Sequence, residues 1–268
     1  MAPDEVLGVK KDSTTWSLPF DRIYGGPLLR LQSYAHDLLV DQCMSEAGFD
    51  DFEVLTISSA PFPETQPHGN ATLFNVEIAQ KYGYRMAPDP GYKPSRENID
   101  LHGGGYYDNK PEAFKNQLYA CLDEVQLELS GPRPTAEVPV DEGGNIPIES
   151  QLNRFTVDTS SPQLQEAAAQ WRTCMAPQGI ADLPQEPWAT EIRREMPESL
   201  QTRLNFQLTG QPSADEIAVA TADAQCRESS GWTSLLYEAT WNQQAAFIAA
   251  HKEAYSAGVW SHFREAIL

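Results

Sequence analysis

Apolar residues recur at helical spacing over most of this chain, and strict alternation is rare. Leu28, Leu31, Ala35, Leu38, Leu39 and Cys43 predict a helix over about 28–47, and Gly48 offers the left-handed stop that ends such a helix. Asn70 is placed to cap a second helix running to about Tyr82, closed by Gly83. Pro111 suits the first turn of a third, with Phe114, Leu118, Cys121, Leu122, Val125 and Leu129 on its apolar side. Ser161-Pro162 opens a fourth, which runs through Leu164, Ala168 and Trp171 to Cys174 and stops at Gly179. A shorter helix is expected around 187–200. Ser213 and Glu216 have capping-box spacing for a helix through Cys226, ended by Gly231. The longest pattern, 232–267, carries Leu235, Leu236, Ala239, Ala246, Phe247, Ala250 and Ala254. The short alternating run Phe52–Ile57 is the candidate strand.

Glycine and proline punctuate the rest. Residues 1–27 read as an irregular arm, and Tyr84–Lys110 as a long loop containing His102-Gly103-Gly104-Gly105-Tyr106-Tyr107. Pro132, Pro134, Pro139, Gly143, Gly144 and Pro147 mark a linker. The expected fold is therefore mainly α, with long irregular loops. A helix–loop–helix unit spans 28–130, a Pro/Gly-rich linker 131–160, and a second helical unit with a long C-terminal helix 161–268. The two units are expected to pack as one domain.

The four cysteines repeat a pattern. Cys43 and Cys174 both stand in Cys-Met-x-x-x-Gly at the end of an apolar helix, and each precedes, after a long irregular stretch, a helix with its own cysteine, Cys121 or Cys226. Four cysteines allow three connectivities, and this two-fold echo favours Cys43–Cys121 and Cys174–Cys226. Such a framework belongs in an oxidising, extracytoplasmic setting. Free buried thiols and a zinc site are the rival readings, but close Cys-x-x-Cys pairs, the usual mark of a zinc site, are missing.

Charge narrows the partners. Nineteen basic residues stand against 38 acidic ones, a net charge of −19 spread over both halves of the chain. Nucleic acid and anionic membrane surfaces need basic clusters and are not expected partners. No stretch of the sequence approaches the roughly 20 apolar residues of a membrane span. The start, Met1-Ala2-Pro3-Asp4-Glu5, reads as that of a chain from which a targeting segment or lipid anchor has been removed.

Catalytic patterns are few. The histidines form no His-Glu-x-x-His motif, Gly-x-Ser-x-Gly is missing, and the glycines after His102 lack phosphate-loop spacing. His36 beside Asp37 reads as a surface pair. Acidic doublets such as Asp215-Glu216 carry little information in so acidic a chain. The tryptophans at 171, 188, 232, 241 and 260 are expected to pack helices. The loop around His102 is the candidate ligand site, because His102, Tyr106, Tyr107 and Asp108 set polar and aromatic groups beside glycines that admit a close approach. The competing reading is a packed loop whose tyrosines cover the disulfide helix. No cofactor and no metal site is expected.

The motifs Leu18-Pro19-Phe20-Asp21-Arg22-Ile23-Tyr24, Asp41-Gln42-Cys43-Met44, Tyr82-Gly83-Tyr84, Trp171-Arg172-Thr173-Cys174-Met175 and Ala222-Asp223-Ala224-Gln225-Cys226 stand out as short signatures. Together they resemble a group of extracytoplasmic proteins, often lipoproteins, from actinobacteria such as streptomycetes. The resemblance implies an exported or membrane-tethered protein and transfers no catalytic residue. The expected function is a non-enzymatic cell-envelope or secreted binding protein, accessory to an unknown small molecule or envelope protein partner. An envelope hydrolase built around His102, or a divalent-cation binder, are the alternatives.

Overall fold

The computed structural model describes residues 4–6, 8–24, 26–68, 72–93, 107, 110–130, 151, 154–189, 195–206 and 211–251. The fold is mainly helical, as the periodicity predicts. It divides into two compact units that are not successive along the chain. One gathers residues 1–27, 61–90 and 157–246; the other gathers 28–60, 91–156 and 247–268. Residues 61–90, within the stretch 28–130, thus cluster with the cysteine helices of the second half.

In the first unit, the N-terminal arm opens as a hairpin of β1 (Glu5–Val6) and β2 (Val9–Lys10), paired antiparallel, and reaches a short helix, α1 (Asp21–Tyr24). Helix α2 (Gly26–Glu46) belongs mostly to the second unit and is followed by Gly48, whose φ of 86° is left-handed as expected. Helix α3 (Val76–Tyr82) returns to the first unit. Its cap is Asn75, whose Oδ1 accepts the Ile78 N–H at 2.8 Å, and not Asn70. The chain before it is tied elsewhere, since the Leu73 N–H donates to the Thr65 carbonyl at 2.9 Å.

Helix α4 (Glu112–Ser130) follows the long loop, and α5 (Pro162–Met175) begins where Ser161 accepts the Leu164 N–H. On α5, Leu164, Ala167, Ala168, Trp171 and Met175 are buried on one stripe. A 3₁₀ turn, Ala176–Gln178, prolongs the helix to Gly179 at φ 67°.

Of the helix expected around 187–200, residues 187–189 are not helical, 190–194 lie outside the described residues, and α6 spans Glu198–Leu204. Pro197 disfavours helical geometry at Met196, so the helix starts after it. Pro197 makes no side-chain cap bond, and Asp182 from a preceding loop accepts the Ser199 N–H and hydroxyl instead. Helix α7 (Ala214–Ser229) then packs against both α3 and α5. The long C-terminal helix, α8, is described over Trp232–Ala250; the rest of its expected span lies outside the described residues. Trp232 seals Leu164, Ala167 and Ala168, while Tyr237 and Trp241 pack with Leu18 and, on the arm, Val6, Val9 and Trp16.

In the second unit, α2 and α4 are joined by Cys43–Cys121 around Val40, Met44, Phe114, Leu118 and Val125. Asp37 is buried and is not the surface residue expected. Its Oδ2 accepts the N–H groups of Leu55 (3.2 Å) and Thr56 (3.0 Å) and the Thr56 hydroxyl (2.8 Å). That carboxylate holds the segment read as a strand, which is reduced to an isolated bridge between Thr56 and Tyr92. Residues 131–150 of the linker lie outside the described residues.

Candidate functional site

The two bridges are those the repeat predicts, Cys43–Cys121 and Cys174–Cys226, and no cysteine is left free. Met44 and Met175, the second residues of the repeated motif, are both fully buried, so each helix end is anchored by a core methionine beside its cystine.

Of the four residues singled out around His102, Tyr107 is described; His102, Tyr106 and Asp108 lie outside the described residues. Tyr107 stacks on Phe52 (5.6 Å between centroids, 16°) and tilts against Phe114 of α4 at 5.4 Å. Its hydroxyl donates to the Glu53 carbonyl at 3.4 Å. It is therefore half-buried packing on the helix that carries Cys121.

Among the described residues, a dense polar arrangement lies in the first unit, on α7. Glu216, Asp223 and Arg227 are buried at helical spacing with Val219, Ala220 and Ala224, so charge runs through the face that should be apolar. Asp223 Oδ1 accepts from Trp171 Nε1 (2.7 Å) and Arg227 Nε (2.8 Å), and Oδ2 accepts from Arg227 Nη2 (3.0 Å) and the Tyr84 hydroxyl (3.3 Å). Four donors saturate a carboxylate. Arg227 also donates to the Trp188 carbonyl at 2.8 Å, and its guanidinium lies over the rings of Phe74 (5.2 Å) and Trp188 (5.4 Å). A planar cation with a paired acid is at home over aromatic faces.

Two turns before Asp223 on α7, Glu216 accepts the Tyr84 N–H (3.2 Å) and both Nε and Nη2 of Arg85 (3.1 and 2.9 Å to Oε2). The capping box is thus half formed. Ser213 accepts the Glu216 N–H at 3.1 Å, but the Glu216 carboxylate turns away to hold the segment after α3. Burial pushes the Tyr84 phenol well above its ordinary pKa, and the charge of Asp223 adds to it. Every carboxylate oxygen in this cluster has a protein donor, and its chemistry is that of a framework. Among the described residues, the indole nitrogens of Trp188 and Trp232 are buried without a hydrogen-bond partner.

His68, in the same unit, contacts the Thr15 hydroxyl at 3.2 Å, and partial burial lowers its pKa. Among the described residues, no three His, Cys, Asp or Glu side chains converge as a metal site. No known protein family, curated protein or solved structure matches this chain.

The sequence did hold a signal for the hub. Positions 216, 220, 223 and 227 fall on one helical stripe, so either Glu216, Asp223 and Arg227 or the apolar residues between them had to be buried with unlike company. Setting Asp215-Glu216 aside as one acidic doublet among many hid this. The two neighbours have opposite fates, because Asp215 pairs at the surface with Arg203, at 2.9 and 2.5 Å.

Proposed function

We propose that this chain is an extracytoplasmic binding or accessory protein that performs no chemistry of its own, secreted or held at the outer face of a membrane. The observation that carries the reading is how the buried charges are used. Asp37, Glu216 and Asp223 each spend their oxygens on backbone N–H groups, hydroxyls, arginine or tryptophan within the frame. A general acid or base needs a free position toward a substrate. Pairing of all four cysteines supports an oxidising compartment. Among the described residues, no helix is long and apolar enough to cross a membrane. The resemblance to actinobacterial envelope proteins points the same way.

The test is an activity screen on the oxidised protein with p-nitrophenyl esters, phosphates and glycosides. No turnover above the uncatalysed rate supports the binding reading. Turnover that disappears in His102→Ala, with an unchanged circular dichroism spectrum, would overturn it in favour of a hydrolase.

A further inference from the structure

The two disulfides face solvent differently. Cys174 is exposed on the last turn of α5, and its partner Cys226 is buried. Cys43 is half-buried, and its partner Cys121 is fully buried. The Glu124 carboxylate stands at Cys43, with Oε2 at 3.9 Å from Sγ. Thiol–disulfide exchange requires a thiolate to reach one sulfur, and a negative charge beside that sulfur repels it.

We propose that Cys174–Cys226 is the exchangeable bridge of this protein, with Cys174 Sγ as the sulfur attacked by an external dithiol, while Cys43–Cys121 is guarded by burial and by Glu124. In the first step a thiolate of the dithiol bonds to Cys174 Sγ. The Cys174–Cys226 bond breaks, and Cys226 leaves as a thiolate that takes up a proton. The second thiol of the dithiol then attacks the mixed disulfide and releases Cys174 as a thiol. The dithiol is oxidised to its disulfide, and the protein bridge gains two electrons and two protons.

The frame around this bridge is built to survive its opening. Trp171 lies one turn before Cys174 on α5, and Asp223 one turn before Cys226 on α7. The Trp171–Asp223 hydrogen bond of 2.7 Å therefore joins the same two helices one turn away. With the sulfurs apart, α5 and α7 remain held by the Asp223 hub. The site is thus a reversible redox position in a folded protein.

Limited reduction of the oxidised full chain with dithiothreitol at pH 8, quenched by iodoacetamide and read by peptide mass spectrometry, tests this. Cys174 and Cys226 should be alkylated faster than Cys43 and Cys121, by about tenfold or more given the difference in access and charge. The singly reduced protein should keep its far- and near-ultraviolet circular dichroism. Equal rates, earlier labelling of Cys43 and Cys121, or loss of structure with the first bridge would each overturn the proposal. Glu124→Gln, an exposed substitution, should speed reduction of Cys43–Cys121 several-fold, and an unchanged rate would refute the guarding role. In Cys226→Ser, Cys174 should form a mixed disulfide with Ellman's reagent without denaturant; an unreactive Cys174 in the folded variant would refute its place as the attacked sulfur.

Discussion

Gly83 and Glu216 share a space that admits no extra carbon: a Cβ on Gly83 would stand 2.7 Å from Oε1 of Glu216. Gly83 also has φ 60° and ψ −126°, a backbone state that side chains rarely adopt. Glu216 cannot yield easily, because it is fully buried and held by Arg85 and the Tyr84 N–H. Gly83→Ala is therefore expected to cost about 2–4 kcal/mol in urea unfolding, backbone strain and overpacking together. Gly179→Ala is the control, since Gly179 has φ 67° but nothing within 4 Å of its Cβ direction. It should cost about 1–2 kcal/mol. Equal losses would mean that contact with Glu216 adds nothing.

Asp223 neutralises Arg227 in a buried setting and satisfies Trp171 and Tyr84 besides. Asp223→Asn leaves the Arg227 cation without its counter-charge, and removing one member of a buried pair costs about 3–5 kcal/mol. Adding Arg227→Met removes the stranded cation. The double variant should therefore be less destabilised than the sum of the two single ones, by about 1–3 kcal/mol. The same urea titrations measure both quantities, and simple additivity would mean that the two side chains do not act as a pair.

These residues mark how far the sequence could be read. The helices of the cysteine repeat were legible because their signals are local: Ser161 and Ser213 cap as their spacing predicts, and the glycines at 48, 83 and 179 turn left-handed where the apolar stripes end. Cys-Met-x-x-x-Gly predicted the bridges because both copies put cysteine at the same helix end. The stripe of Glu216, Asp223 and Arg227 is a local signal, but the partners that complete the hub, Tyr84, Trp171 and Trp188, were not legible, since they reach it through packing that no local pattern encodes. Asn70 misled because capping needs the N–H donors three residues on to be free for it, and the chain at Leu73 is bound to Thr65. The motifs Tyr82-Gly83-Tyr84, Trp171-Arg172-Thr173-Cys174-Met175 and Ala222-Asp223-Ala224-Gln225-Cys226 hold Tyr84, Trp171 and Asp223, so they meet in one structural hub. Of the loop residues read as a site, Tyr107 serves packing.

Asp21 makes stability depend on pH in the acidic range up to about pH 6. Burial raises its carboxyl from 3.8 to about 6, although the Leu18 N–H donates to Oδ2 at 2.7 Å and pulls the other way. The folded state therefore binds the Asp21 proton more tightly than the unfolded chain does. Its contribution is fully present below about pH 3.8 and is lost as pH rises through about 6. The loss is of the order of 2 kcal/mol. Asp21→Asn keeps an acceptor for the Leu18 N–H and removes the ionisation. The wild-type midpoint should fall relative to that of Asp21→Asn between about pH 4 and about pH 7 in thermal scans. Parallel curves would show that Asp21 titrates as an ordinary carboxylate.

Each bridge spans a long stretch of chain, with sequence separations of 78 for Cys43–Cys121 and 52 for Cys174–Cys226. The entropy of closing such loops varies only with the logarithm of their length, so both should contribute about 4 kcal/mol. The double serine variants are then expected to lose similar free energy while differing in where it is lost. Removing Cys43–Cys121 frees α2 and α4 around the apolar cluster of Val40, Met44 and Phe114. Removing Cys174–Cys226 leaves α5 and α7 joined by Trp171 and Asp223. Amide hydrogen exchange should accordingly show wide loss of protection over α2 and α4 in Cys43→Ser/Cys121→Ser. In Cys174→Ser/Cys226→Ser the loss should be confined to the last turns of α5 and α7. Equal collapse of α5 and α7 would mean that the buried Asp223 hub cannot hold the two helices without the covalent link.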